Sequence, residues 1–300
     1  MQRNFSHCRL WITVLLAGLA LLGWSSGARA QFLNKLKGIT DKAQKVKQSS
    51  EVTPEQEQAL GREVAAKAIA YFGLYQSQPL TRYVNLVGAT VAAQAERQDI
   101  KYHFAVLDSD DINAFSAPGG YVFITRGALA LCEDESELAG VLAHEVGHIA
   151  GKHVVKIIER DRKERGIADE VSSYKPGSAE WKKYADQAAK NLLVRMIDQG
   201  LPPNDEFDAD KRGAEYAHAA GYPADGLERF LVQLDKATQQ GGRSWLTRTH
   251  PPAKDRIDRL QKLIAGQHWE DTDRPRLAER LAMAKVALPK AASPKPKAGS

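Results

Sequence analysis

His144-Glu145-Val146-Gly147-His148 decides how this chain of 300 residues is read. Residues four apart on an α-helix project from nearly the same direction, so the two imidazoles can face one metal ion. Glu145 sits one position further round, within reach of a water on that metal. One helical turn thus supplies two ligands and a general base, the set that metal-assisted hydrolysis requires. The preceding residues favour that helix. Asp134 can cap it, Glu137 completes a capping-box pattern, and acids suit the positive end of the helix dipole. Leu138, Val141, Leu142 and Ile149 form an apolar stripe with both histidines along one flank. The helix is therefore expected to lie buried, with its ligands at the edge of the core.

Upstream, Thr53-Pro54-Glu55-Gln56 reads as a helix start, and helices are expected over 54–74 and 79–96, the second carried by Leu80, Tyr83, Val84, Val87 and Val91. The period then changes. Tyr102, Phe104 and Val106 alternate as a strand, 112–117 extends again, Pro118-Gly119-Gly120 turns, and Tyr121 to Thr125 forms a last strand. The expected fold is α+β, mainly α, with a small antiparallel sheet beside the HExxH helix. Charges from Lys156 to Arg165 suggest that the helix continues out of the core; 166–180 reads as a surface loop and 180–198 as a further helix.

Two histidines are too few for a tight catalytic zinc, which takes three protein ligands and a water. A third histidine three residues past Gly151 is ruled out because residue 154 is Val. His153 lies one residue early, pointing about 140° from His148 on a continuing helix, and reads as structural or supporting. The better candidate is Glu206-Phe207-Asp208-Ala209-Asp210. Glu206 and Asp210 share a helical face with Gly213 and Ala217, and those small residues match Ala143, Gly147 and Gly151 for close helix packing. Glu206 can then reach zinc while Asp210 orients a ligand imidazole. His250, in Thr249-His250-Pro251-Pro252, reads by itself as part of a stiff surface loop leading into the helix that carries Arg256.

The ends read differently. Arg3, His7 and Arg9 precede an apolar run from Leu10 to Trp24 and an Ala28-Arg29-Ala30 ending, the pattern of a secretory signal cut after Ala30; an uncleaved anchor is the alternative. Residues 31–52 form a basic lead-in, 53–287 the metal-binding domain, and 288–300 a Pro/Lys/Ala tail of disordered composition. The net charge of +5 falls to +2 without the three arginines of residues 1–30, so no nucleic-acid surface is expected. Only Cys132 follows Ala30, which excludes an internal disulfide and a cysteine-rich zinc site. No apolar run within 31–300 is long enough to span a membrane, and no repeat suggests a solenoid module.

In order, Asn113-Ala114-Phe115, Pro118-Gly119-Gly120-Tyr121-Val122-Phe123, Glu137-Leu138-Ala139, His144 to His148, His153, Glu206 to Asp210, Ala220-Gly221-Tyr222 and Thr249-His250-Pro251 with Arg256 resemble the zinc metallopeptidases typified by the CAAX prenyl endopeptidase, in their small soluble bacterial periplasmic form. The resemblance spans roughly 55–265. It implies a zincin-like gluzincin with one zinc on His144, His148 and Glu206, supported by Asp210, with Glu145 as base. It also raises two further readings of His250, a fourth zinc ligand that holds the enzyme latent or an oxyanion donor, the latter a role Arg256 can also fill. Prenyl processing is not implied, because the family members that perform it span the membrane several times. The chain is also similar to periplasmic proteases that assist outer-membrane protein assembly. The expected function is an exported, periplasmic zinc endopeptidase acting on unfolded or misassembled envelope proteins, with the envelope assembly machinery as a partner. A substrate would lie extended along an edge strand near Asn113, Ala114 and Phe115. The rival is a non-catalytic zinc-containing chaperone-like or assembly-binding module; a peptidase of cell-wall peptides is a third reading.

Overall fold

The computed structural model describes residues 50–240, 249–269 and 273–286, with 35, 37 and 288. The expected signal and most of the lead-in and tail lie outside the described residues. Helix α1 (Pro54–Phe72) starts as its sequence dictates: Thr53 Oγ1 accepts from the Gln56 N–H at 3.2 Å, and Gly73 ends it at φ 75°. The Gln56 amide does not close a capping box; it is buried and accepts from Arg162 at 3.0 Å. Helix α2 (Gln78–Ala92) buries Leu80, Val84, Val87 and Val91, a 4-3-4 spacing along one face.

Strands β1 (His103–Leu107), β2 (Ala114–Ala117) and β3 (Tyr121–Thr125) form the sheet in the order β1-β3-β2. It is mixed rather than antiparallel: β1 pairs parallel with β3 from His103↔Tyr121 to Leu107↔Thr125, and β2 pairs antiparallel with β3. The strand directions are those of a meander, but β3 is central. The three-residue turn at Pro118–Gly120, with Gly119 at φ 73° and Gly120 at φ 99°, forces β2 against β3. Asn85 of α2 bonds the Phe104 N–H and C=O, holding β1 on the far side. That leaves β2 as an edge strand against the HExxH helix.

After the short α3 (Arg126–Leu131), the HExxH helix α4 (Glu135–Ala150) is buried from Glu135 to Ile149. Asp134 Oδ1 accepts from the Glu137 N–H at 3.0 Å, while the Glu137 carboxylate turns back to the Glu133 N–H at 2.8 Å. The helix does not run on past Gly151 as expected. Lys152 takes a left-handed conformation (φ 54°), and α5 (His153–Glu164) starts in a new direction. Nor does α5 leave the core. Val154, Val155, Ile157 and Ile158 are buried, and Arg162 is fully covered, bonded to Tyr184 Oη and Gln56. Within 166–180, expected as a loop, a short helix α6 (Ala168–Ser172) forms.

Helices α7 (Ala179–Asp198), α8 (Pro203–Ala219), α9 (Gly226–Gln239), α10 (Ala253–Gln267) and α11 (Ala278–Lys285) complete the described chain. Two apolar clusters result. One joins α2, α4, α8 and α9 with one face of the sheet; the other joins α1, α5 and α7 with the opposite face. The histidines of α4 lie at the seam between them. Among the described residues, no helix is long and apolar enough to cross a membrane.

Candidate metal centre

Close packing of α4 on α8 builds the centre. A Cβ on Gly213 would stand 2.9 Å from the His144 backbone nitrogen, and one on Gly147 would stand 3.0 Å from the Ala209 carbonyl oxygen. Two glycines therefore let the backbones touch, and Glu206 on the first turn of α8 arrives opposite both histidines. His144 Nε2 and His148 Nε2 are 3.0 Å apart; Glu206 Oε2 and Oε1 lie 3.6 Å from His144 Nε2 and His148 Nε2 respectively. His250 Nε2 completes the group, 3.1 Å from Glu206 Oε2. All four residues offer a donor atom within 4.8 Å of the others. Its loop is seated on Gly200, where φ is +71° and a Cβ would collide with the Thr249 carbonyl.

A tetrahedral zinc with ligand bonds of about 2.0–2.1 Å spaces its donor atoms about 3.4 Å apart, which the observed 3.0–3.6 Å bracket. Both Glu206 oxygens are buried without any hydrogen-bond donor. A carboxylate left so inside a protein is costly unless a cation meets it. The donor set of two or three imidazole nitrogens and one carboxylate suits zinc.

The outer nitrogens fix how the imidazoles face. His144 Nδ1 lies 2.9 Å from Asp210 Oδ1, and Asp210 in turn accepts from Arg256 Nε at 2.9 Å and Nη2 at 2.6 Å. Arg256, on α10, is thus behind His144 with two donors committed to Asp210. His148 Nδ1 lies 2.9 Å from His153 Nδ1, whose Nε2 lies 3.2 Å from Asp208 Oδ2. Arg212 binds Asp208 at 2.6 Å and Glu96 at 2.9 Å. His250 Nδ1 pairs with Thr249 Oγ1 at 2.9 Å. In the tautomers these contacts favour, each Nδ1 carries the proton and each Nε2 lone pair turns inward. The relay through His153 and Asp208 is not legible from helical spacing, because it depends on the helix break at Lys152.

Glu145 lies beside the donor group, 3% exposed, near Ser116. Burial, with the Glu206 charge adding to it, pushes its carboxyl up to about 7. Burial works against charge on His144 too, but its bond to Asp210 and the nearby Glu206 carboxylate outweigh that and lift it to about 9. His148 is held well below the usual imidazole range by burial, and His250 is lowered to about 4 for the same reason. Glu206 and Asp210 stay far below the carboxylate range despite burial: the surrounding histidines hold Glu206 down, and Arg256 with His144 holds Asp210 down. The expected edge strand is beside them, since Ala114, Phe115 and Ser116 line a cavity with Glu145, His148 and His250. Asn113 is buried at its head. That cavity measures about 30 Å³, room for little more than a water.

A family model, peptidase family M48, matches residues 79–264, more than half of the chain. The chain belongs to peptidase family M48. The resemblance read from the sequence holds at that level. Among curated M48 relatives, the chain is 28% identical over 258 residues to the beta-barrel assembly-enhancing protease of Yersinia pestis, covering 82% of this chain and 51% of that protein. It is 26% identical to the Escherichia coli (strain K12) protein of the same name, over 59% of this chain and 37% of the relative. The mitochondrial metalloendopeptidase OMA1 of Schizosaccharomyces pombe is 28% identical over 62% of this chain and 53% of its own length. The chain thus spans about half, or less, of the M48 relatives it matches.

Proposed function

We propose that this M48 chain is a zinc-dependent endopeptidase, with its catalytic unit in residues 53–287. The observation that carries the reading is the partnerless buried carboxylate of Glu206 among three inward-facing Nε2 atoms, with Glu145 alongside. His144, His148 and Glu206 would hold one ion per chain. Zinc there supplies Lewis acidity toward a water and the scissile carbonyl. Glu145 takes the proton of the attacking water and passes it to the leaving amine, a task suited to a carboxyl near neutrality. Asp210 orients His144 through Nδ1, Arg256 positions Asp210, and the His153–Asp208 pair does the same for His148. His250, whose Nε2 lies 3.1 Å from Glu206 Oε2, would compete with water for the ion and so slow turnover without abolishing it. The substrate lies extended beside β2, at Asn113, Ala114 and Phe115.

The substrates are unfolded or misassembled envelope proteins, met after export to the periplasm with cleavage following Ala30. The signal-like N-terminal sequence and the printed names of the bacterial relatives support this. The test is digestion of a reduced, carboxymethylated protein by purified enzyme, with and without chelator and with Glu145→Gln. Cleavage that stops with chelator and with Glu145→Gln is the expected result. Metal binding without any cleavage would favour the non-catalytic chaperone-like module.

A further inference from the structure

Beyond the metal centre, α5 and α7 line a second cavity of about 330 Å³, with Ile157, Ile158 and Asp161 from α5 and Ala188, Leu192 and Arg195 from α7. That volume lies in the range of ligand-binding clefts, whereas the cavity at the donor group holds no more than water. The two share no lining residue but lie on the same pair of helices. Val154 and Met196 line the small cavity, and Ile157, Ile158 and Leu192 are the next residues along the same faces of the same helices. One helical turn advances about 5.4 Å, while same-side residues of an extended chain repeat about every 6.8 Å. A polypeptide laid against β2 with its scissile bond at Glu145 would reach this groove with a side chain that extends about one helical turn beyond Val154 and Met196. Val194, 54% exposed, forms the open rim of the groove. Arg195 makes no ion pair among the described residues, and its Nε is buried without an acceptor.

We propose that the α5–α7 groove is the specificity subsite of the enzyme and receives a large apolar side chain of the substrate close to the scissile bond, with the Arg195 guanidinium serving the adjoining main-chain carbonyl. The inference rests on the endopeptidase reading above. The substrate class it names is polypeptide exposing Leu, Ile, Met or Phe, the side chains that folded proteins hide.

The probe is reduced, carboxymethylated lysozyme digested by the zinc-loaded full chain, with every cleaved bond mapped by mass spectrometry. The wild type is expected to favour large aliphatic or Phe residues over Ala at one fixed position beside the cut, by at least about 10-fold. Ala188→Trp fills the groove from a half-buried surface position and is expected to shift that position to Ala, Ser and Gly, with zinc content and melting temperature unchanged. If Ala188→Trp does not fold, Val194→Trp on the exposed rim carries the same test. Arg195→Met is expected to slow cleavage at all sites without altering the preference. An identical cleavage profile for the wild type and a folded Trp variant overturns the subsite while leaving the endopeptidase reading intact. No cleavage by the zinc-loaded wild type overturns both.

Discussion

Glu145 is the residue at which chemistry and stability pull apart. Glu145→Gln removes no donor from the group of His144, His148 and Glu206, so the variant is expected to bind one equivalent of zinc. Its turnover should fall by about 10²–10⁴-fold, because an amide cannot take the proton; single-turnover assays with metal analysis check both. The carboxyl also costs stability. Its folded-state value near 7 exceeds the ordinary 4.5, so the folded protein holds the proton more tightly than the unfolded chain. The stabilising contribution is complete below 4.5 and is lost as pH rises through 7. In chelator, Glu145→Gln should therefore match wild type near pH 4 and exceed it by on the order of 2–3 kcal/mol at pH 8, read from urea unfolding. Asp210→Ala should weaken zinc affinity by about 10–100-fold in competition with a chelator, through loss of the bond that orients His144. At this scale the sequence is explicit wherever a helix brings residues together. His144, Glu145 and His148 were legible from spacing alone, and Glu206 with Asp210 nearly so. His153 was not assigned a partner, because its contact with His148 needs the left-handed turn at Lys152.

The α4–α8 crossing turns two local motifs into one centre. Gly213→Ala puts a methyl 2.9 Å from the His144 nitrogen, backbone that cannot yield without moving the helix. It is expected to destabilise by about 1–3 kcal/mol and to weaken zinc binding, since Glu206 rides on the displaced helix. Gly266→Ala, near the end of α10 with open space around it, is the control and should stabilise by about 0.5–1 kcal/mol. Thermal unfolding and zinc titration of both variants check the pair. The small residues that permit the crossing could be read in the sequence, as could the 4-3-4 face of α2 and the cap at Asp134. Sheet order could not, because β3 becomes central through what α2 and α4 do to its neighbours. The buried role of α5 was hidden as well. Charges from Lys156 to Arg165 dominate its composition, although Val154, Ile157, Ile158 and Arg162 keep helical spacing.

Across the molecule, the donor group ties α4 to α8 at the seam of the two apolar clusters. Zinc that binds only the folded form stabilises it by about 2.7 kcal/mol at a hundredfold excess over Kd. Melting in chelator is therefore expected to occur at lower temperature than in zinc, and His144→Ala should abolish the difference. Differential scanning calorimetry at fixed protein concentration checks this. His250 comes from a distant part of the chain, and its arrival at Glu206 is a property of the whole fold that the Thr249-His250-Pro251-Pro252 motif did not specify.

A cleft of about 30 Å³ at the donor group admits water but no peptide, so the arrangement seen is one that substrate does not enter. Apparent affinity is then the intrinsic affinity multiplied by the fraction of molecules that have opened. That fraction belongs to the enzyme and is the same for every substrate. Removing the imidazole with His250→Ala should accordingly lower KM by one common factor for short and long peptides alike, leaving their ranking untouched. Factors that differed from peptide to peptide would mean that His250 touches substrate instead.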